Sequence, residues 1–174
     1  MFHYKSLLFS CVAASLLAAG CGEGLPPGMP KLYKTTITIV QDGSPLTGAS
    51  VVAISANFET APWTSGGITD KSGSVVLKTQ GQYRGIPAGT YLVTVSKTEG
   101  PPDLELPKRP NTDEEIREYD KIQKQIENNS FQVVDEKYTK QNLTPLKLEI
   151  KGTTHETFDV SPAVKVKVIP SASG

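Results

Sequence analysis

From residue 34 onward, short runs of alternating apolar and polar residues are separated by turn residues. Residues 35–40 (TTITIV), 50–55 (SVVAIS) and 74–79 (SVVLKT) are rich in β-branched residues, and residues 86–96 (IPAGTYLVTVS) end in the same pattern. Successive side chains of a strand point to opposite faces, so each run can bury one face against a second sheet. The pattern predicts an all-β protein of the sandwich or barrel type.

Turn residues between the runs predict where the chain reverses. Asp42-Gly43 follows the first run and is a strong signal for a two-residue hairpin turn. Residues 68–73 (ITDKSG) form a tight turn into residues 74–79, which predicts a second hairpin. Val51 and Ala53 share one face of their strand, and Tyr91, Val93 and Val95 share one face of theirs. The last three are expected in the core.

The end of the chain supplies further strand patterns. A turn at residues 151–152 separates a strand at 146–150 from a returning strand at 156–160, and we expect this pair to close the second sheet. Residues 164–168 (VKVKV) form either an eighth strand, at a sheet edge with its lysines in water, or a frayed tail. The inward face of the first of these strands carries Leu146, Leu148 and Ile150.

Residues 97–130 read as an insert in the sandwich. Residues 97–111 contain four prolines and predict a linker. Thr112 and Glu115 form a capping box at the start of a polar helix that runs to about Asn128. The helix has a narrow apolar stripe, which we expect to pack on its own sheet, with docking of a partner protein as the alternative. The stripe consists of Ile116, Tyr119, Ile122 and Ile126.

The beginning of the chain predicts export and lipid anchoring. Lys5 precedes an apolar run at residues 7–19, which has the length of a secretory signal core and is short for a permanent membrane span. Residues 17–21 (LAAGC) resemble the bacterial lipobox, with Ala18 where Leu is usual. The resemblance implies cleavage before Cys21 and acylation of its thiol by a palmitate-type diacylglyceryl group. The alternative is an ordinary secreted protein, cut near the end of the run.

These patterns divide the chain into segments. They are a lipoprotein signal peptide at residues 1–20, a lipid-anchored tether at 21–33, a sandwich at 34–168 with the insert at 97–130, and a tail at 169–174. The tether is rich in Gly and Pro, which disfavour helices and strands. The predicted location is the cell envelope, on the periplasmic or cell-surface side of a bacterial membrane.

Composition and charge narrow the class of protein. The 174 residues are 37% hydrophobic and 21% charged, with 13 Pro and 15 Gly, which is typical of one loop-rich globular domain. The formal charge is zero, so composition gives no indication of nucleic-acid binding. Of the 2 cysteines, Cys11 lies in the leader, so the mature chain has no pair for a disulfide.

Few residues are candidates for catalysis or metal binding. His155 is the one histidine after the leader, and no Gly-x-Ser-x-Gly elbow accompanies it. A small hydrolase would need His155 in a cleft beside a hydroxyl and a carboxylate, and zinc would need more His or Cys ligands. Asp70 and Ser72 are a candidate calcium loop, although Asp70 more simply caps the backbone amides of a turn. We predict no catalytic residue, metal or cofactor.

Trp63 and Tyr83 are the candidate ligand-binding residues. They lie in two loops rich in Gly and Pro, and exposed aromatic rings at the rim of a sandwich can stack on sugar rings. The alternative is that both rings cover the ends of the core.

Turn and core residues of the first half of the sandwich form a recognisable pattern. The pattern consists of Gly43, Pro45, Leu46, Gly48, Ala49, Val51, Thr69, Asp70, Gly73, Ile86, Pro87, Gly89, Tyr91, Val93 and Val95. It resembles the carboxypeptidase regulatory-like domain, a transthyretin-like (Ig-like) sandwich found in bacterial envelope lipoproteins, notably those of planctomycetes. The resemblance implies a seven- to eight-stranded sandwich, here with one inserted amphipathic helix, and extends loosely to about residue 160. It specifies a fold and not an activity.

The sequence therefore favours a non-catalytic envelope lipoprotein whose sandwich serves surface or periplasmic interactions. Its expected partners are the membrane, through a lipid on Cys21, and an envelope protein or glycan. A glycan-binding lipoprotein that uses Trp63 and Tyr83 is the alternative function.

Overall fold

The computed structural model describes residues 25–56 and 60–168. The predicted signal peptide, Cys21 and the tail at 169–174 lie outside the described residues. In the ranges that are described, no helix is long and apolar enough to cross a membrane.

Strands make up most of the regular structure, and two helices accompany them in the described part. The strands are β1 (Leu32–Tyr33), β2 (Thr35–Gln41), β3 (Ser44–Pro45), β4 (Ser50–Ser55), β5 (Ser65–Ile68), β6 (Ser74–Val76), β7 (Lys78–Thr79), β8 (Tyr83–Arg84), β9 (Ile86–Pro87), β10 (Gly89–Ser96), β11 (Thr98–Glu99), β12 (Phe131–Gln132), β13 (Lys147–Ile150), β14 (Thr154–Asp159) and β15 (Val166–Lys167). The helices are α1 (Asp113–Asn128) and α2 (Glu136–Thr139).

The strands form two main sheets. In the first sheet, β2 pairs with β14 along one edge and with β3 and β6 along the other. The second sheet has the order β13-β10-β4-β5-β7-β8. The predicted all-β sandwich with an inserted helix is confirmed, although its strands appear as shorter segments than the sequence runs.

The core consists of the inward faces of these two sheets. Ile37 and Ile39 of β2 are fully buried, as are the inward-facing residues of β4 and β10. The residues predicted for the core, Tyr91, Val93 and Val95, are all buried. The residues predicted to share one face of a strand are buried too, namely Val51, Ala53, Leu146, Leu148 and Ile150. Strict alternation therefore identified the buried faces correctly.

The first predicted hairpin is confirmed. Val40 pairs with Pro45 and Gln41 with Ser44, which leaves Asp42-Gly43 as a two-residue turn. Both turn residues have positive φ, 49° and 76°, as a type I′ turn requires.

The second predicted hairpin is only partly correct, because residues 74–79 change sheet. β6 pairs with β2 in the first sheet, whereas β7 pairs with β5 in the second. Leu77 lies between them, fully buried, and its amide donates to the carbonyl of Thr35 at 3.0 Å. Burial continues on alternate residues through this crossing, so the sequence pattern gives no sign of it.

The closing strands also differ from expectation. β13 and β14 do not form a hairpin in one sheet, because β13 pairs antiparallel with β10 while β14 crosses over and pairs parallel with β2. The short segment between them allows the crossing, and Thr154 donates from its amide to the carbonyl of Lys34 at 3.0 Å. β14 thereby covers an edge of β2 that would otherwise be open.

The insert contains the predicted helix and β11, one strand of a small third sheet. The capping box is confirmed, since the Thr112 hydroxyl accepts from the Glu115 amide and the Glu115 carboxylate accepts from the Thr112 amide at 3.2 Å. β15 is an edge strand, in a sheet of order β11-β12-β15. The apolar stripe of α1 packs only in part. No residue of α1 is buried and Ile116 is 44% exposed, whereas the other three residues of the stripe are half-buried.

The sandwich has two distinct ends. At the end that we call the tether end, β1 pairs with β9, β2 begins, and Gly89 of β10 pairs with Ile150. At the opposite end, which we call the insert end, Gln41 of β2 donates through Nε2 to the carbonyl of Val133 at 2.9 Å. The insert follows β10, which ends at Ser96, so it leaves from the end opposite the tether.

Two glycines with the same backbone angle provide a test of the packing around the turn after β5. Gly73 and Gly81 both have φ of 72°, but a Cβ on Gly73 would lie 2.6 Å from the carbonyl oxygen of Ile39, whereas a Cβ on Gly81 would meet nothing within 4 Å. We expect Gly81→Ala to lower the free energy of unfolding by about 1 kcal/mol and Gly73→Ala by at least about 3 kcal/mol. Urea unfolding measures both values, and equal losses would contradict this packing.

Candidate functional site

An open depression of about 510 Å³ lies at the tether end. The N-terminal segment forms one side of it and the β7–β8 hairpin forms the other. Its lining residues are Leu25, Lys31, Leu32, Lys78, Gln82, Tyr83 and Arg84. It is the candidate site because it joins one of the predicted ligand-binding aromatics to several charged groups.

A glycine brings the two sides of the depression together. Gly85 has φ of 108°, and a Cβ at this position would lie 2.7 Å from the carbonyl oxygen of Tyr33. A side chain here would push β8 and β9 away from β1, so the close approach requires glycine. The amide of Gly85 also donates to the carbonyl of Leu77 at 2.8 Å, which ties the depression to the crossing between the sheets.

Three cationic side chains line the depression. Lys31, Lys78 and Arg84 are all exposed, and the Nζ atom of Lys31 lies 5.2 Å from the centre of the Tyr33 ring. The sequence has no Asp or Glu in residues 25–41 or 71–98, which supply the whole lining. The site is therefore positively charged. Composition alone missed this charge because the chain as a whole is neutral.

Tyr83 is half-buried at the end of a polar row on the second sheet. It pairs with Thr79 of β7, which in turn pairs with Ser65 of β5, so the three side chains point to the same face. The hydroxyls of Ser65 and Thr79 are 2.9 Å apart, and Thr79 donates to the carbonyl of Gly85 at 2.7 Å. Tyr83 therefore both covers the edge of this buried row and faces the depression.

The structure does not bring Trp63 into the depression with Tyr83. Trp63 is half-buried in the turn before β5, where its amide donates to the carbonyl of Thr60 at 3.0 Å. Its own carbonyl accepts from the Ser65 hydroxyl at 3.2 Å. The two candidate aromatics thus lie near the same edge of the second sheet, but only Tyr83 lines the depression.

Asp70 caps the turn between β5 and β6, as the simpler interpretation predicted. Its Oδ1 atom accepts from the hydroxyl of Ser72 at 2.6 Å and from the amides of Ser72 and Ser74 at 2.8 and 3.1 Å. The Ser72 hydroxyl and these amides hold the pKa of the Asp70 carboxyl below its usual range. No group of three metal-ligating side chains gathers anywhere in the part of the chain that the structure describes.

Asp159 repeats this arrangement, and sequence reasoning missed it. Its Oδ1 atom accepts from both the amide and the hydroxyl of Ser161, and these bonds lower the pKa of Asp159. Asp42 joins the cluster, with its amide donating to the Ser161 hydroxyl at 2.7 Å and its Oδ2 accepting from Ala163 at 3.0 Å. The signal was available, because both turns share an Asp-x-Ser pattern.

His155 lies on β14, the edge strand of the first sheet, and is exposed. It pairs in register with Thr36 of β2. Within residues 25–56 and 60–168, its ring makes no hydrogen bond or ion pair. The arrangement of hydroxyl, histidine and carboxylate that a hydrolase needs is therefore not formed at this position.

Comparison with known proteins gives only distant structural likeness. No protein-family model matches the sequence, and no curated protein is similar to it. Similar solved structures include the major pilin subunit of Bacillus cereus, with 16% identity and a TM-score of 0.40 over 75% of this chain and 30% of that one. Another is a 9R-lipoxygenase from Cyanothece, with 11% identity and a TM-score of 0.33 over 74% of this chain and 16% of that one. The chain spans less than a third of either protein, and no function follows from either likeness.

The Asp70 cap predicts a pH-dependent contribution to stability. A carboxyl whose pKa is lowered in the folded state contributes stability that is full above about pH 4 and is lost as the pH falls through the lowered pKa. We expect Asp70→Asn to lower the urea midpoint at neutral pH, with the difference from wild type narrowing toward about pH 3.

The matched control for this variant is Asp103→Asn, at an exposed carboxyl that caps no turn. Its urea midpoint should follow that of the wild type across the pH range. If Asp70→Asn loses the same stability at every pH, the charge of the Asp70 carboxylate is not what stabilises the turn.

Proposed function

We propose that this chain is a lipid-anchored protein of the bacterial cell envelope, with a non-catalytic sandwich that serves as a binding or structural module. The observation that carries the proposal is the lipobox-like sequence at residues 17–21, which ends in Cys21. Leu32, where β1 begins, lies only 11 residues further on, so an extended tether would reach about 40 Å at most. An acyl group on Cys21 would therefore keep the sandwich close to the membrane surface.

The type of sandwich forms part of the proposal. We infer a transthyretin-like domain of the carboxypeptidase regulatory-like type, and contacts between distant family-like residues support this. The Thr69 hydroxyl donates to the carbonyl of Leu46 at 2.6 Å and accepts from the amide of Ala49 at 2.8 Å. The Tyr91 hydroxyl donates to the carbonyl of Pro87 at 2.9 Å. Residues that match the family pattern are thus hydrogen-bonded to one another in the fold.

Glycan binding is the alternative function, and Tyr83 carries it. Tyr83 lines the depression beside Gln82 and Arg84, which are hydrogen-bond donors of the kind that hold sugar hydroxyls. Trp63 is the sole tryptophan and lies near the same sheet edge, so its fluorescence reports on this region. A saturable change in Trp63 fluorescence with a soluble glycan, abolished by Tyr83→Ala, would favour this function over the proposed one.

Intact mass of the protein from the membrane fraction of a bacterial host tests the anchor. We expect the wild type to begin at Cys21 and to carry the added mass of a diacylglyceryl group. Cys21→Ala removes the thiol that accepts the lipid and should remain uncut and unacylated. Cys11→Ala is the matched control, because this cysteine lies in the leader, and it should yield the same mature mass as the wild type. An unmodified, secreted wild-type chain would contradict the proposal.

A further inference from the structure

The charges of this neutral chain are separated along the axis from the tether end to the insert end. Lys31, Lys78 and Arg84 line the depression at the tether end, and the segments that form it contain no acidic residue. The insert at residues 97–130, by contrast, contains nine Asp and Glu residues against six Lys and Arg residues, so it is net negative, and it includes all of α1. The protein is therefore an electric dipole whose positive end is the end nearest Cys21.

The positive charges of the depression are available to bind negatively charged groups outside the sandwich. In the described part of the chain, none of Lys31, Lys78 and Arg84 forms an ion pair. Glu149, an acidic residue on β13 at this end, is already paired with Lys151 at 2.8 Å. Glu23 and Glu59 lie outside the described residues. Three exposed and unneutralised cations around one depression form a site for an anionic surface.

Apolar groups accompany these cations. Leu25 is 44% exposed and lines the same depression, and Leu32 is half-buried beside it. Leu25 follows Cys21 by four residues, so the two Cα atoms lie within about 14 Å of each other. Cationic side chains around exposed leucine are the combination that binds the interface of an anionic bilayer, where the charges meet phosphate groups and the leucine enters the acyl boundary.

We propose that the surface formed by Leu25, Lys31, Lys78 and Arg84 docks on the anionic phospholipid headgroups of the membrane that holds the anchor. This rests on the proposed acylation of Cys21, which delivers the surface to the bilayer. The acyl chains supply retention, and the docking surface fixes which end of the sandwich faces the lipid. An anionic glycan would provide negative charge but no apolar boundary for Leu25, so phospholipid fits the surface better.

Docking in this orientation holds the insert away from the membrane. The eight residues of β10 run from the tether end to the insert end and span about 26 Å. This length is well beyond the distance of about 8 Å over which physiological salt screens charges, so the acidic insert is not repelled by the bilayer. The third sheet, which α1 reaches at its C-terminal end just before β12, then lies away from the lipid.

Lysine labelling of the purified, acylated protein tests the docking. The protein is placed in nanodiscs of zwitterionic phosphatidylcholine, or in nanodiscs that also contain anionic phosphatidylglycerol, and is treated with an acetylating reagent. We expect labelling of Lys31 and Lys78 to slow by about threefold or more in the anionic discs alone, and to recover at about 0.5 M salt. Lys121 and Lys124 on α1 serve as internal controls and should label equally in both kinds of disc.

Matched variants test whether the protection of Lys31 depends on the docking surface or only on the total positive charge of the protein. Lys78→Gln with Arg84→Gln should abolish the protection of Lys31 in anionic discs, whereas Arg117→Gln with Lys121→Gln on α1 should preserve it. Equal labelling of Lys31 in the two kinds of disc would overturn the docking while leaving the anchor intact. Protection of Lys31 by a soluble anionic glycan but not by anionic discs would also overturn it, because the occupant would then be the glycan.

Intact mass distinguishes failure of the docking from failure of the anchor. If the chain proves unacylated, the proposed function fails, and the unmodified full chain is then mixed with phosphatidylglycerol vesicles and sedimented. If the chain binds these vesicles in a salt-sensitive way, and the double variant Lys78→Gln with Arg84→Gln does not bind, the docking proposal stands even though the anchor proposal has failed. An absence of sedimentation would then overturn the docking as well.

Discussion

Strand β10 holds the sandwich together because it is hydrogen-bonded along both edges and buries its inward face completely. It pairs with β4 over six residues and with β13 over four, and Tyr91, Val93 and Val95 show no exposed surface. Burial of Tyr91 raises the pKa of its phenol, and its hydroxyl remains satisfied by the carbonyl of Pro87. The first sheet then closes over this face with Ile37 and Ile39.

The two ends of β10 lie next to two differently charged regions of the molecule. Its start is fixed by the pairing of Gly89 with Ile150, next to the tether and the cationic depression. Its end at Ser96 passes into the linker, the third sheet and α1. A rigid, doubly paired strand between a positively charged end and an acidic insert gives the protein a defined polarity, which is the property that the proposed envelope function uses.

Local signals were sufficient to predict local structure. The Asp42-Gly43 turn, the Thr112 capping box and the alternating buried faces each depend on residues close together in the sequence, and each was predicted correctly. Partner choice was not predictable, because alternation has the same period in either sheet. For this reason the sequence pattern predicted neither the change of sheet at Leu77 nor the parallel pairing of β14 with β2.

The packing of α1 and the charge of the candidate site also depend on residues that are distant in the sequence. The apolar stripe of α1 predicted burial, but how far a stripe packs depends on the surface that the fold places beside it, and here no residue of the helix is fully buried. Tyr83 was identified as a candidate, whereas the cations around it were hidden by a net charge of zero. Their grouping depends on the pairing of β1 with β9, which joins segments more than fifty residues apart.

One cooperative sandwich carries an insert whose helix packs outside the core. Native-state hydrogen exchange measures this directly. Amides of β2 in the first sheet and β10 in the second should exchange with one common free energy, equal to that of global unfolding. Amides of α1 should exchange much more readily, because the helix has no fully buried residue. If the α1 amides exchange with the same free energy as those of β10, the insert belongs to the core and the account is contradicted.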